Sequence, residues 1–419
     1  MKFLNYAAAG VALTMLTGLA ACAPSTAPAP GGGDEKTGTL RVWLYDEPNR
    51  APKEKVVGEA IKEFTAAHAD VQVEVAYVPT TPARHEKFKG AFNDPASSPD
   101  VAEYGNTDLA EYAAAGGFAD LTADLQGQDM TPELLKSAAV DGKQYGLPWF
   151  VGVRALYYRT DVFDELKLKP PTSIAELTET ARTIRAKKPG LYGIAVGGEY
   201  TFGALPFVWD AGGDITALDS PASRKGVKSY TDLLKDDICP PQACVSLTGG
   251  KTVELFAGGK AAMGILGNFN RAAVDAGAAA GKYAVVPLPG SAPGSIAPAF
   301  AGGNNLGVMK NAKHRTLAVE FVKLLGGKAY QTKMYEAMGN LPTLTGARDE
   351  LAAKDTFLKP FLDTVAKGTK FVPIDPAWVK IDNGKVIPTM LQKIATGQAD
   401  VDAATTEAAT AVKTAFGRS

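Results

Sequence analysis

LRVWLYDEPNRAPKEKVVGEAIKEFTAAHADVQVEVAYVP, residues 40–79, reads as a complete strand–helix–strand unit. Leu40, Val42 and Leu44 alternate with Arg41, Trp43 and Tyr45, the period of two of a strand. Val56, Val57, Ala60, Ile61 and Phe64 then fall on one helical face. Val71, Val73, Val75 and Tyr77 alternate again and stop at Pro79. Two strands joined through a helix are parallel, with a right-handed crossover. A third strand, Pro99 to Tyr104, runs into Gly105-Asn106-Thr107-Asp108.

The same grammar continues outward. Gly146 to Tyr158 is a long apolar run with strand propensity, and Leu191 to Val196, Gly259 to Leu266 and Tyr283 to Leu288 are shorter ones. Ser173 with Glu176 three residues on is a capping box, opening a helix with Ile174, Leu177, Ala181 and Ile184 inward. Leu306-Gly307-Val308 leads into a helix carrying Leu317, Phe321, Leu324 and Leu325, ended by Gly326-Gly327. The last hundred residues are mostly helical. The fold class is therefore α/β, and in such sheets ligands sit beyond the carboxyl ends of the parallel strands. Those ends deliver Trp43, Tyr45, Asp46 and Glu47, then Thr80 and Thr81, then Asn106 and Asp108 to one edge.

That set joins flat rings to forked polar groups. A sugar offers hydroxyls around its rim, which Asp, Asn, Glu or Arg side chains serve two at a time. Its C–H faces stack on aromatic rings. The other tryptophans extend the candidate set: Trp149 at an expected crossover, Trp209 beside Asp210, and Trp378 after Asp375-Pro376-Ala377. Core packing is the competing role for each ring.

An apolar run, Tyr6 to Ala21, follows a short start carrying Lys2, the layout of a secretory signal. Leu19-Ala20-Ala21-Cys22 resembles the bacterial lipobox, which points to acylation of Cys22 and loss of residues 1–21. An ordinary signal peptide or a signal anchor are the other readings. Gly10, Thr14, Thr17 and Gly18 interrupt the run, which falls short of the ~20 apolar residues a spanning helix needs. Residues 22–38 then lack large apolar side chains and read as a flexible tether. The composition, 46% hydrophobic and 21% charged, is that of a globular protein. Roughly 380 residues after the tether are too many for one core, so two lobes are expected. With 44 Lys+Arg against 45 Asp+Glu there is no basic stripe for nucleic acid and no polybasic membrane patch. Cys239 and Cys244 bracket Pro240-Pro241-Gln242-Ala243 in an oxidising compartment, pointing to a disulfide on a surface loop. Two free thiols or half of a metal site are the alternatives, and no histidine lies near in sequence. The three histidines, His68, His85 and His314, read as surface residues. Thr248-Gly249-Gly250-Lys251-Thr252 imitates the end of a phosphate loop, but the required first glycine is Val245.

Five stretches in order carry a resemblance: the lipobox, SPDVAEYGNTD from Ser98, LPWFVGVRALYYRTDVFDELKLKPPTSIAEL from Leu147, FAGGKAAMGILGNFN from Phe256, and FAGGNNLGV from Phe300. Together they resemble the extracellular carbohydrate-binding lipoproteins of ATP-binding-cassette importers, over essentially the whole mature chain. The resemblance implies a two-lobed periplasmic-binding-protein-like fold with hinge crossovers, a sugar in the cleft, and closure around it. It implies a first lobe of 39–150 plus 302–350 and a second of 151–301 plus 351–419. It places Asp46 and Glu47 on an acidic loop, Asn106 and Asp108 on a polar one, and Trp149 and Arg154 at the first crossover. Gly302, Gly303, Asn304 and Asn305 match the glycine-rich return, where the backbone approaches the ligand. Asn268 and Phe269 lie where a tryptophan is common, so Phe269 offers a smaller ring.

The expected activity is capture of an uncharged sugar, preferably a di- or oligosaccharide, and delivery to permease subunits. The chain is expected to work as a monomer outside the cytoplasm, held to the membrane by lipid alone, with no metal or cofactor and no catalysis. A cell-surface glycosidase using Asp46 and Asp108 is the alternative, as is a binding protein for a non-sugar solute.

Overall fold

The computed structural model describes residues 34–417 apart from 48 and 82. The signal segment 1–21, Cys22 and the tether as far as residue 33 lie outside the described residues. Residues 34–38 depart from the expected tether, because they dock on the first lobe. Asp34 accepts from the main-chain N–H of Thr316 at 2.9 Å, in the first turn of helix Arg315–Leu325. Such first-turn donors have no partner within the helix, and a carboxylate there is favoured. Glu35 donates its N–H to Lys313 O, and Gly38 already pairs with Val71.

The first lobe is built on a six-stranded sheet in the order Leu341–Pro342, Leu147–Gly152, Gly302–Val308, Val101–Gly105, Gly38–Asp46, Val71–Pro79. The last three are parallel, in unbroken register from Gly38↔Val71 to Asp46↔Pro79. The returning strand Gly302–Val308 inserts antiparallel between Val101–Gly105 and Leu147–Gly152. Pleating sends Leu40, Val42 and Leu44 to one face, against helices Ala51–Ala67, Arg315–Leu325 and Lys328–Met338. Trp43 and Tyr45 go to the other face, against helix Ala83–Asn93.

The second lobe centres on a three-stranded antiparallel sheet, Met263–Gly267, Arg154–Arg159, Tyr283–Val286. Leu191–Val196 does not join it as a strand. It makes only the isolated bridges Tyr192↔Ala261 and Ala195↔Gly264, because Gly193 is pressed on helix Ile174–Lys187. A Cβ there would stand 2.1 Å from Ala181 O. The run from Gly259 becomes a strand only at Met263, since Gly259 turns at φ 69°. The capping box is half formed: Ser173 accepts from Glu176 N–H, while Glu176 turns to Thr172. Cys239 and Cys244 are bonded to each other, and both are fully buried in the second core rather than on a surface loop.

Two strand crossovers join the lobes, Gly152-Val153-Arg154 and Phe300-Ala301-Gly302, besides a third, helical passage in Thr345–Lys354, and alternation gives the strands two faces. Val151, Val153, Ala299 and Ala301 turn one way, into a core shared with Leu134, Leu351 and Phe361. Gly152, Arg154, Phe300 and Gly302 turn the other way. Strand pairing is close enough that a Cβ on Gly303 would lie 2.2 Å from Phe150 O. Gly303→Ala is therefore expected to lower the unfolding free energy by about 1–3 kcal/mol, measured by urea denaturation; an unchanged midpoint would contradict this packing.

Candidate functional site

The carboxyl edge of the first sheet is held by Glu103, which is fully buried. Its Oε2 accepts from Lys53 Nζ at 2.8 Å and from Tyr45 N–H at 2.7 Å, and Oε1 accepts from Asn304 Nδ2 at 2.6 Å. Lys53, equally buried, also donates to Glu47 at 3.0 Å and to Tyr45 O at 3.2 Å. One carboxylate thus ties the first strand's end, the first helix and the returning strand together. Glu47 has its pKa raised by burial, with Lys53 opposing and Glu103 reinforcing the shift. Asn304, expected to meet ligand, is spent inside this network.

A second cluster lies alongside. Arg84 grips Asp108 with two bonds, Nε to Oδ2 at 3.0 Å and Nη2 to Oδ1 at 2.9 Å. Tyr45 OH donates to the same carboxylate and accepts from Gly105 N–H. Asp108 and Tyr45 are buried, so Asp108 acts through Arg84, which reaches solvent. His85 packs between Glu111, 2.8 Å away, and Asp108. It is buried, as is His314, whose ring faces Asp100 and Thr37 O. The surface reading fits only His68, which is half-buried beside Glu320. Asn106 donates its side-chain N–H to Ala301 O and its main-chain N–H to Gly303 O, so it clasps the crossover.

The second lobe meets this edge through helix Ala377–Asn383. Asp382 on it has its pKa raised by desolvation and by the charge of Asp108, with Arg84 and His85 opposing. Asp382, exposed on the second lobe, thus lies within electrostatic reach of the Arg84–Asp108 pair. Along the cleft floor stands an aromatic cluster around Arg154. Its Nε donates to Tyr200 OH at 2.6 Å, and its guanidinium lies 5.5–5.9 Å from the rings of Tyr200, Phe202, Phe269 and Phe300. Phe202 and Phe300 stack at 4.3 Å. Phe269 is 38% exposed and its ring rests against two glycines. A Cβ on Gly152 or Gly267 would come within 2.8 or 2.4 Å of its ring.

Several expected site residues lie elsewhere. Trp149 is fully buried in the first core, donating to Leu325 O. Trp209 is buried in the second core. Asp210 holds Ser291 at the far end of helix Thr201–Asp210, two turns beyond Phe202. Asn268 is buried, accepting from Val153 N–H and donating to Gly339 O. Trp378 is buried one turn before Asp382, its indole N–H without a partner among the described residues. Trp43 is half-buried against Phe88, with Lys87 Nζ 4.6 Å over its ring. Asp46 is exposed at the edge and paired with Arg50. Gly303 serves strand pairing, as above. Sequence reading missed Arg84, Tyr200, Phe202 and Asp382. Arg84 sits three residues past Thr81, at the end of a strand already placed. Asp382 carries no pattern that marks its helix as a cleft wall.

Residues 59–359 match the family described as bacterial extracellular solute-binding protein. The chain is 28% identical to the diacetylchitobiose binding protein DasA of Streptomyces coelicolor, covering 96% of each. It is 26% identical to the galactooligosaccharide-binding protein of Bacillus subtilis, over 94% of this chain and 93% of that one. Its fold is that of the GacH receptor of Streptomyces glaucescens, with TM-score 0.77 at 23% identity over 91% and 99% of the two chains. It is likewise that of the sugar-binding protein MalE of Xanthomonas citri, with TM-score 0.79 at 23% identity over 90% and 97%.

Two outcomes follow from the electrostatics. Lys53→Met leaves Glu103 buried without its cation and is expected to cost about 3–5 kcal/mol of stability, read from denaturant midpoints; a loss below a tenth of that would contradict the network. Asp108→Asn removes the like charge and frees Arg84, so the Asp382 pKa should fall, measured by carboxyl NMR titration. Because the folded pKa of Asp382 lies above its unfolded value, the native state binds more protons in that interval. The Asp382 contribution to stability therefore declines as pH rises through it. An Asp382 pKa indifferent to Asp108→Asn would separate the two across the cleft.

Proposed function

This chain belongs to the bacterial extracellular solute-binding proteins, and from that membership we propose that it captures an uncharged di- or oligosaccharide between its lobes and delivers it to the permease subunits of an ATP-binding-cassette importer. The observation that carries the sugar reading is Phe269. It and Ile374 are the large apolar side chains left exposed among the described residues. Phe269 lies on the cleft floor beside Arg154 and offers a face to a sugar's C–H groups. Arg84, Asp46 and Asp382 supply forked partners for hydroxyls. Arg84 is paired with Asp108 and Asp46 with Arg50, so neither presents an uncompensated charge, which favours a ligand without net charge. Relatives that bind diacetylchitobiose and galactooligosaccharide support the same class.

Closure follows from differential affinity. A sugar touching both walls binds the closed form better and shifts the population toward it. The lobes, 39–150 plus 302–350 and 151–301 plus 351–419, turn on the crossovers, and the closed form docks on the permease. Lipidated Cys22 holds the monomer at the outer face of the membrane. A binding role is favoured over glycoside hydrolysis because Arg84 and Tyr45 hold Asp108 at both oxygens, which removes it as an acid or base.

Calorimetry with gluco-, xylo-, malto- and chito-oligosaccharides tests the reading. One series is expected to bind saturably and raise the melting temperature. Phe269→Ala should then weaken it about tenfold, or 1.4 kcal/mol. No heat and no thermal shift across all four series would overturn the sugar assignment.

A further inference from the structure

The crossovers carry a second concavity on the face turned away from the cleft. A cavity of about 590 Å³ opens between helix Thr345–Lys354 and helix Lys359–Lys367. Leu134, Leu362 and Val365 line it and belong to the core behind Val151 and Val153. Phe269 and Arg154 sit on the opposite face of the same strands. Its volume falls within the ~300–1,000 Å³ of small-molecule sites.

Arg348 also lines this cavity and is the unexplained group in it. It is 6% exposed, and Nη2 reaches Thr345 Oγ1 at 3.3 Å. Nη1 is buried and has no acceptor among the described residues. Burial lowers the Arg348 pKa, and Asp349 and Asp129 oppose that only by charge at a distance. Neither supplies a bond: Asp129 accepts from Gly346 N–H instead. A buried charged donor left unmade is costly, and folded proteins rarely leave one unless it has a use.

We propose that this cavity is a second ligand site, taking a small monocarboxylate with an apolar body whose carboxylate sits on Arg348. The guanidinium supplies the fork that matches a carboxylate. Leu134, Leu362 and Val365 receive the hydrocarbon. Glu133, Asp349 and Asp363 also line the cavity, with Lys367, and Asp363 is paired with Lys359; these carboxylates disfavour a second negative charge on the ligand. The site stands apart from the sugar cleft and does not depend on the sugar assignment.

The test uses hexanoate, with hexan-1-ol as the same body lacking the carboxylate and chloride at equal ionic strength as the salt control. Hexanoate is expected to raise the melting temperature saturably and to give saturable heat in calorimetry, and hexan-1-ol to do neither. Arg348→Met, which keeps the packing and removes the charge, should abolish the response. Equal responses to hexanoate and hexan-1-ol in the wild-type protein would overturn the proposal, as would an undiminished hexanoate response in Arg348→Met. The wild-type comparison holds even where the variant does not fold.

Discussion

The cleft depends on two strands that change lobe while keeping one face open at Gly152 and Gly302, beside Arg154 and Phe300. Gly152 and Gly302 leave room on that face, and Gly152 with Gly267 makes the bed on which Phe269 lies. The opposite face is the reverse: Val151, Val153, Ala299 and Ala301 fill a core that belongs to both lobes. Thin on one side and packed on the other, the crossovers keep the walls aligned and still let them approach. A larger side chain at Gly152 or Gly267 would displace the ring that makes the floor apolar.

The walls are stiffened by different means. The first lobe uses buried ions. Glu103 has partners at both oxygens from the first strand's end, the first helix and the returning strand, and Asp108 is filled by Arg84 and Tyr45. A buried ion pair contributes little net stability, yet loss of one partner is expensive, so it enforces one geometry. The second lobe uses rings. Arg154 stands among four of them and is tied through Tyr200 OH to Ile265 O. A neutral ligand rich in hydroxyls fits between such walls without paying for uncompensated charge.

Much of the fold was legible because periodicity reports burial directly. Residues 40–79 predict the parallel pair, and Ile174, Leu177, Ala181 and Ile184 are all buried as their spacing requires. The site was legible only at strand ends, where topology dictates position: Asp46 and Asn106 reach the cleft edge. It was not legible for tryptophan, because a ring on a wall and a ring in a core obey the same pattern. Trp149 and Trp209 went to cores, while Phe269, a smaller ring two residues after Gly267, took the floor. Asn268 and Asn304 looked like ligand groups, yet each was needed to satisfy buried polar atoms, a demand that appears only after folding. Leu191–Val196 carries strand residues, but Gly193 must pass against Ala181 and the ladder is lost.

Capture requires the two lobes to draw together over the crossovers when a sugar enters. Spin labels at Glu86→Cys on the first lobe and Asn383→Cys on the second bracket the cleft mouth. Double electron–electron resonance between them, with and without the tightest-binding oligosaccharide, reads the motion directly. A shorter and narrower distance distribution at saturation is the predicted result. An unchanged distribution with the sugar fully bound would contradict closure.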